Sequence, residues 1–122
     1  RLDARGTVVI ADTGPPPPLS VSWEAHASCL AFEFSSGRNR IIVNCGVPAV
    51  NREQWRQAAR ATAAHSTLVL SDTNSSELRP EGLGRKPETV EAERQEATGA
   101  QWLEVSHDGW RGPFGAVHRR RL

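Results

Sequence analysis

Tyrosine and methionine are absent from these 122 residues. No phenol is therefore available as an acid or base within this chain. Two cysteines are too few for a disulfide framework or a four-thiolate zinc site. No apolar run approaches the roughly 20 residues that span a bilayer, and the N-terminus has no signal-peptide pattern. A net charge of +1 is not the positive excess of a nucleic-acid binder, and 38% hydrophobic residues is not the composition of a disordered chain. A Gly-rich phosphate loop, a Ser-centred nucleophile elbow and a Cys/His metal finger are also missing. The expected partners thus include neither nucleic acid nor membrane. What is there is one domain's worth of sequence, residues 1–122, enough for a packed core. Its start on Arg1-Leu2-Asp3 without Met, and its end on Arg119-Arg120-Arg121-Leu122, read as a segment of a longer protein.

The organising stretch is 24–46. Leu30, Phe32 and Phe34 alternate with Ala31, Glu33 and Ser35, the period of two of a strand with one buried face. Residues 35–39 supply a turn in which Gly37 takes positive φ, and Ile41-Ile42-Val43 is a β-branched returning strand. A turn centred near Gly37 pairs residue 30 with 44 and 32 with 42. It sets Cys29 opposite Cys45, as two free thiols or a cross-strand bridge. Parity then places His26, Leu30, Phe32, Ile42 and Asn44 on one face. His26 is a hydrogen-bonded histidine or a ligand at the end of that face.

Elsewhere, residues 6–11 form a first strand and prolines 15–18 an extended connector. A short helix is expected near 51–60, with Asn51 as N-cap, Trp55 and Ala59 buried, and Arg52 and Arg56 outward. Residues 67–70 read as a strand and 71–88 as a mobile insertion rich in Ser, Pro, Gly and charge. Residues 89–96 alternate like an edge strand despite helical propensities, and 101–106 form its hairpin partner. His107-Asp108-Gly109 signals a tight turn, leaving His107 and His118 at the rim. Trp23, Trp102 and Trp110 suit core or rim packing, or stacking on sugar rings. The arginines at 119–121 are solvated or contact acidic sugars. Short strands separated by Gly, Pro, Asn and Asp predict a mainly β fold, an antiparallel β-sandwich with one short helix.

Four stretches occur in an order that resembles the heparinase II/III-like β-domain. They are 26–34 (His-Ala-Ser-Cys-Leu-Ala-Phe-Glu-Phe), 42–46 (Ile-Val-Asn-Cys-Gly), 55–67 with Trp55-Arg56 and Ala63-Ala64-His65-Ser66-Thr67, and 107–115 with His107-Asp108-Gly109-Trp110. The resemblance implies a supersandwich-like β segment that follows an α-helical toroid in the parent chain. It implies β-elimination on uronic-acid-containing, glycosaminoglycan-like polysaccharide, and a periplasmic or cell-envelope location. That reaction needs the uronate neutralised, a base for the C5 proton and an acid for the leaving oxygen. On the family pattern His-x-His-x-Asp-x-Leu-Ser-Phe, His26 matches the second His, Glu24 stands at the first, catalytic one, and Ser28 replaces the Asp. Structural zinc binding is carried over to His26, Asn44 and His65, the alternative being a hydrogen-bonded cluster of the same three. With the toroid's Tyr absent, the segment alone should be inactive. The rival expectation is a non-catalytic carbohydrate-binding or structural module. The strand register leaves His26 four residues beyond the point opposite Asn44, roughly 13 Å at about 3.3 Å per residue, so a bend must close that distance.

Overall fold

The alternation of residues 32–36 and the β-branched runs around it give a first antiparallel sheet. Its strands are β1 (Leu2–Ala4), β2 (Thr7–Ala11), β3 (Phe32–Ser36) and β4 (Asn39–Ile42), in that order. The structure, a computed structural model, describes residues 1–47 and 52–122. A helix α1 (Glu53–Arg60) and a two-stranded hairpin of β5 (Leu78–Arg79) and β6 (Gly82–Leu83) follow. The second large sheet contains β7 (Val90–Ala97), β8 (Ala100–Trp110) and β9 (Ala116–Arg121), with the single-turn helix α2 (Arg111–Phe114) before β9. The fold is mainly β, as expected. Among the described residues no helix is long and apolar enough to cross a membrane.

The two large sheets meet across an apolar core. Leu2, Val9 and Ala11 of the first sheet pack with Val90, Leu103 and Val105 of the second, and Cys29, Leu30 and Leu122 complete the cluster. Parity explains the selection. Leu103, Val105 and His107 share one face of β8, and their partners across the ladder are Arg120 and His118 of β9 and Arg94, Ala92 and Val90 of β7. Arg120 thus stands on the core face. Its guanidinium lies 5.0 Å from the Phe32 ring centroid and donates to the carbonyls of Leu30 (2.6 Å) and Ser66 (3.0 Å), so its charge is partnered.

Several local expectations are corrected. Ile42 pairs with Phe34, not Phe32, and a bulge follows between Phe34 and Ser35. β3 begins only at Phe32, because Leu30 takes φ +60 and turns the chain. That turn is closed by Ala31 N–H donating to Ser28 O (2.8 Å), and it is tied to β2 by Leu30 N–H to Asp12 O (3.1 Å) and Asp12 N–H to Ala31 O (2.8 Å). Cys29 is consequently buried in the core while Cys45 is exposed, and both thiols are free. Burial, with Asp12 nearby, pushes the Cys29 thiol up to about 12, so it behaves as a small hydrophobe. On α1, Ala59 is buried but Trp55 is 56% exposed. The helix docks through its C-terminal end, where Arg60 is fully buried. The expected N-cap, Asn51, lies outside the described residues.

Residues 67–70 are not a strand; Leu70 makes only an isolated bridge to Thr73. The stretch 71–88 is no loose insertion, since Ser75, Ser76 and Leu83 are fully buried. Four of its backbone carbonyls, those of Asn74, Ser75, Arg79 and Gly82, accept from buried or half-buried arginines that also reach neighbouring segments. Arg60 donates to Ala25, Arg79 and Gly82, and Arg85 to Asn74, Ser75 and Gly109. Gly109 must lack a side chain, because a Cβ there would lie 2.5 Å from the Ser75 carbonyl.

Leu30 combines full burial with a left-handed backbone, and this reverses a familiar order. Leu30→Ala should cost about 2–5 kcal/mol through the lost side chain. Leu30→Gly loses only the Cβ beyond those atoms and relieves about 1 kcal/mol of positive-φ strain. It should be at least as stable as the alanine variant in urea unfolding, and a glycine variant weaker by about 1 kcal/mol or more would refute the turn's role.

Candidate functional site

The turn at 28–31 brings together the three residues singled out in the sequence. Ala27, fully buried, donates its N–H to Arg60 O (2.8 Å), and its carbonyl accepts from Thr62 Oγ1 (2.8 Å) and Ser75 Oγ (3.2 Å). His26 is thereby held against the end of α1. His65 closes a 3-10 turn over Thr62–Ala64, its N–H donating to Thr62 O at 3.0 Å. The chain after β4 runs alongside it, with Cys45 N–H donating to Ala64 O (3.2 Å) and Ser66 Oγ to Val43 O (2.7 Å). These bonds bring His26 Nδ1 to 3.1 Å from His65 Nε2, and His65 Nδ1 to 3.3 Å from Asn44 Oδ1, which also accepts the Ser66 N–H at 2.9 Å. Among the described residues no group of three or more His, Cys, Asp or Glu side chains is arranged to hold a metal ion.

His26, Asn44 and His65 line an open groove of about 310 Å³ with Ile10, Ala31 and three polar residues that the sequence reading did not assign to it, Asp12, Ser28 and Glu33. Ser28 Oγ donates to Asp12 Oδ2 at 2.9 Å. A neighbouring groove, between His26 and the proline segment, is again lined by Asp12 and Ser28. Among the described residues neither groove is lined by a lysine or arginine. Burial holds the His26 pKa below its ordinary value, helped by Arg60 and opposed by Glu24; burial and then His26 do the same for His65. Glu24 itself is exposed. No spacing rule connects residue 12 with residues 26–33; only the pairing of Ile10 with Glu33 and Ala11 with Phe32 does so.

A second histidine pair lies in the core, where the sequence had suggested a rim. His107 and His118 are 1% and 8% exposed, and their rings meet edge-on with centroids 5.1 Å apart, beside the buried ring of Trp110. Gly109 N–H donates to His107 Nδ1 (3.0 Å), so the His107 hydrogen sits on Nε2 and is donated to His118 Nδ1 (3.3 Å). The expected tight turn at 107–109 is replaced by a bulge within β8 between His107 and Trp110. Asp108 there accepts the amides of Glu88 (2.9 Å) and Thr89 (3.1 Å) and so anchors the start of β7. The missed signal was parity: His107 continues the face of Leu103 and Val105.

Comparison with known proteins gives two matches. The family model "Heparinase II/III-like, C-terminal" matches residues 1–122. FtsZ-localized protein C of Caulobacter vibrioides (strain NA1000 / CB15N) is 37% identical over 122 residues, covering 93% of this chain. The chain spans 21% of that relative's length. No solved structure matches.

The buried pair sets the acid behaviour. Burial, reinforced by His118 and Arg120 and opposed by Asp108, pushes His107 down to about 4. Unfolded imidazoles protonate near about 6.5. The folded state is therefore fully favoured above that value and loses stability as pH falls from there toward 4. The thermal midpoint should drop between about pH 7 and pH 5; a midpoint that stays level or rises over that range would contradict a neutral buried pair.

Proposed function

This chain belongs to the heparinase II/III-like, C-terminal family, and from that premise we propose that it serves as a non-catalytic carbohydrate-binding or structural β-module, not as a carrier of lyase chemistry. One observation carries this reading: among the described residues the groove around His26 presents the carboxylates of Asp12 and Glu33 and no lysine or arginine. β-Elimination at a uronic acid requires the substrate carboxylate to be neutralised. A uronate about 4 Å from either side chain would instead meet a repulsion of about 4 kcal/mol at an effective dielectric near 20. That is about three decades of affinity. The chain also contains no tyrosine to act as a proton donor. The Caulobacter relative is named for localisation with FtsZ and not for cleaving a polymer, which agrees with a use of this domain that needs no catalysis.

A lyase reading keeps one support, the two imidazoles held together in family order within one groove. It would need the neutralising cation and the acid from elsewhere in the parent chain, such as the α-toroid domain of the family, with acidic polysaccharide as substrate. The test is to incubate the natural full-length protein with heparan, alginate and related polymers and follow the ultraviolet absorbance of unsaturated uronate. No absorbance should develop. In affinity electrophoresis, a neutral polysaccharide should retard the protein at least as strongly as a uronate polymer. Absorbance that grows with the wild type and is lost in His26→Ala, or retardation by uronate polymers alone, would overturn the proposal.

A further inference from the structure

The family's zinc would require three donors converging on one point. Nitrogens about 2.0–2.1 Å from a tetrahedral ion lie roughly 3.3 Å from one another. His26 Nδ1 and His65 Nε2, 3.1 Å apart, come close to this spacing. Asn44 does not join them, because its Oδ1 faces Nδ1, the other nitrogen of the same His65 ring. An ion on Nε2 would have Asn44 behind the ring, as an outer partner; an ion on Nδ1 would lose His26. The remaining donor is also a neutral amide, a weak ligand beside a carboxylate. The donor set does not fit the ion.

It fits something else. The Ser66 amide can only donate, so the Asn44 atom it meets at 2.9 Å is the carbonyl oxygen. The same oxygen faces His65 Nδ1, which must then carry the ring hydrogen. His65 Nε2 is left with a lone pair, and the only hydrogen able to fill the 3.1 Å contact is one on His26 Nδ1. His26 Nε2 is left bare. No protein partner meets that atom among the described residues, and it is not among the sealed, unpartnered polar atoms, so solvent reaches it on a residue that lines both grooves.

We propose a metal-free hydrogen-bond network that converges on Asn44 Oδ1, with His26 donating to His65 and both His65 and Ser66 donating to Asn44, so that both histidine tautomers are fixed and His26 Nε2 is left as an open acceptor. The network occupies the place of the family's metal centre and does another job. It orients an acceptor for the O–H or N–H of whatever enters the groove.

Long-range 1H–15N NMR of the 15N-histidine-labelled protein tests this, recorded about one and a half units above the ordinary imidazole value of about 6.5. Both His26 and His65 should carry hydrogen on Nδ1, the minor tautomer of free histidine. One equivalent of zinc chloride should leave these signals and the thermal midpoint unchanged. Asn44→Ala should release the His65 tautomer and, through it, alter His26; His26→Ala, which leaves Asn44 and Ser66 in place, should keep the His65 hydrogen on Nδ1 and serves if the alanine variant at 44 fails to fold. Hydrogen on His26 Nε2 in the wild type overturns the proposal. So does a zinc-induced shift of both rings with a raised midpoint, a His26 signal indifferent to Asn44→Ala in a folded variant, or a His65 hydrogen moved to Nε2 in His26→Ala.

Discussion

The arrangement depends on one backbone turn. Leu30 is a non-glycine residue at φ +60 with its side chain fully buried. The left-handed conformation costs a leucine roughly 1–2 kcal/mol. Burying a leucine side chain returns about 1.5–3 kcal/mol, and the amides of Leu30 and Ala31 and the carbonyls of residues 28–31 are partnered within the turn or by Asp12, Thr67 and Arg120. The balance favours the turn. Its consequence is long in reach: instead of running on as a straight strand, the chain folds back, and His26 lands on His65. The same turn drives Cys29 into the core and separates it from Cys45. Core packing and site geometry are thus set by one residue's conformation.

A second constraint is the supply of donors to irregular backbone. Residues 66–89 have little ladder to satisfy their carbonyls, and a buried carbonyl without a partner costs about as much as a lost hydrogen bond. Arg60, Arg85 and Arg120 meet this need. Each guanidinium reaches two or more carbonyls from separate segments, which a lysine's compact ammonium would not do with the same fork geometry. Hydrogen bonds to a charged group contribute about 1.5–3 kcal/mol each. Several converging on one buried cation offset its desolvation without a carboxylate. A stretch rich in Ser, Pro and Gly is ordered in this way, although its composition suits a surface loop.

These two constraints separate what the sequence made legible from what it did not. The β class, the strand over residues 7–11, the Gly37 turn and the hairpin from residue 90 to residue 106 all follow from alternation, β-branched runs and turn residues, whereas β1 at Leu2–Ala4 was too short to leave a pattern. A leucine at positive φ leaves no such mark, so the late start of β3 at Phe32 was not legible; nor was the turn at 37–38 followed by a bulge at Phe34/Ser35, which together move the partner of Ile42 from Phe32 to Phe34. At 107–109 a local turn signal lost to tertiary packing, since burying His107 and Trp110 keeps β8 running. Arg60 looks like a solvated last-turn cation and Trp55 like an anchor, and burial inverts the two, because the carbonyls that Arg60 serves lie far along the chain. The juxtaposition of His26, Asn44 and His65 was reachable only through family resemblance. Spacing placed them roughly 13 Å apart along a strand at about 3.3 Å per residue.

What the histidines do then turns on charge. A carboxylate at position 44, 3.3 Å from His65 Nδ1, would favour a cationic or metal-bound imidazole by about 5 kcal/mol at an effective dielectric near 20. The amide of Asn44 exerts no such pull. Burial is left as the largest influence on His26 and His65, and it drives both toward the neutral form. The buried His107 and His118 pair reaches the same state by the same route, with a backbone amide fixing the first tautomer. Two neutral imidazoles can share one hydrogen bond only head to tail, so fixing one end fixes the other. In the core donation runs from His107 to His118; in the groove it runs from His26 through His65 to Asn44. Direction in such a pair therefore comes from a single backbone N–H, that of Ser66 in one case and of Gly109 in the other, and requires no ion.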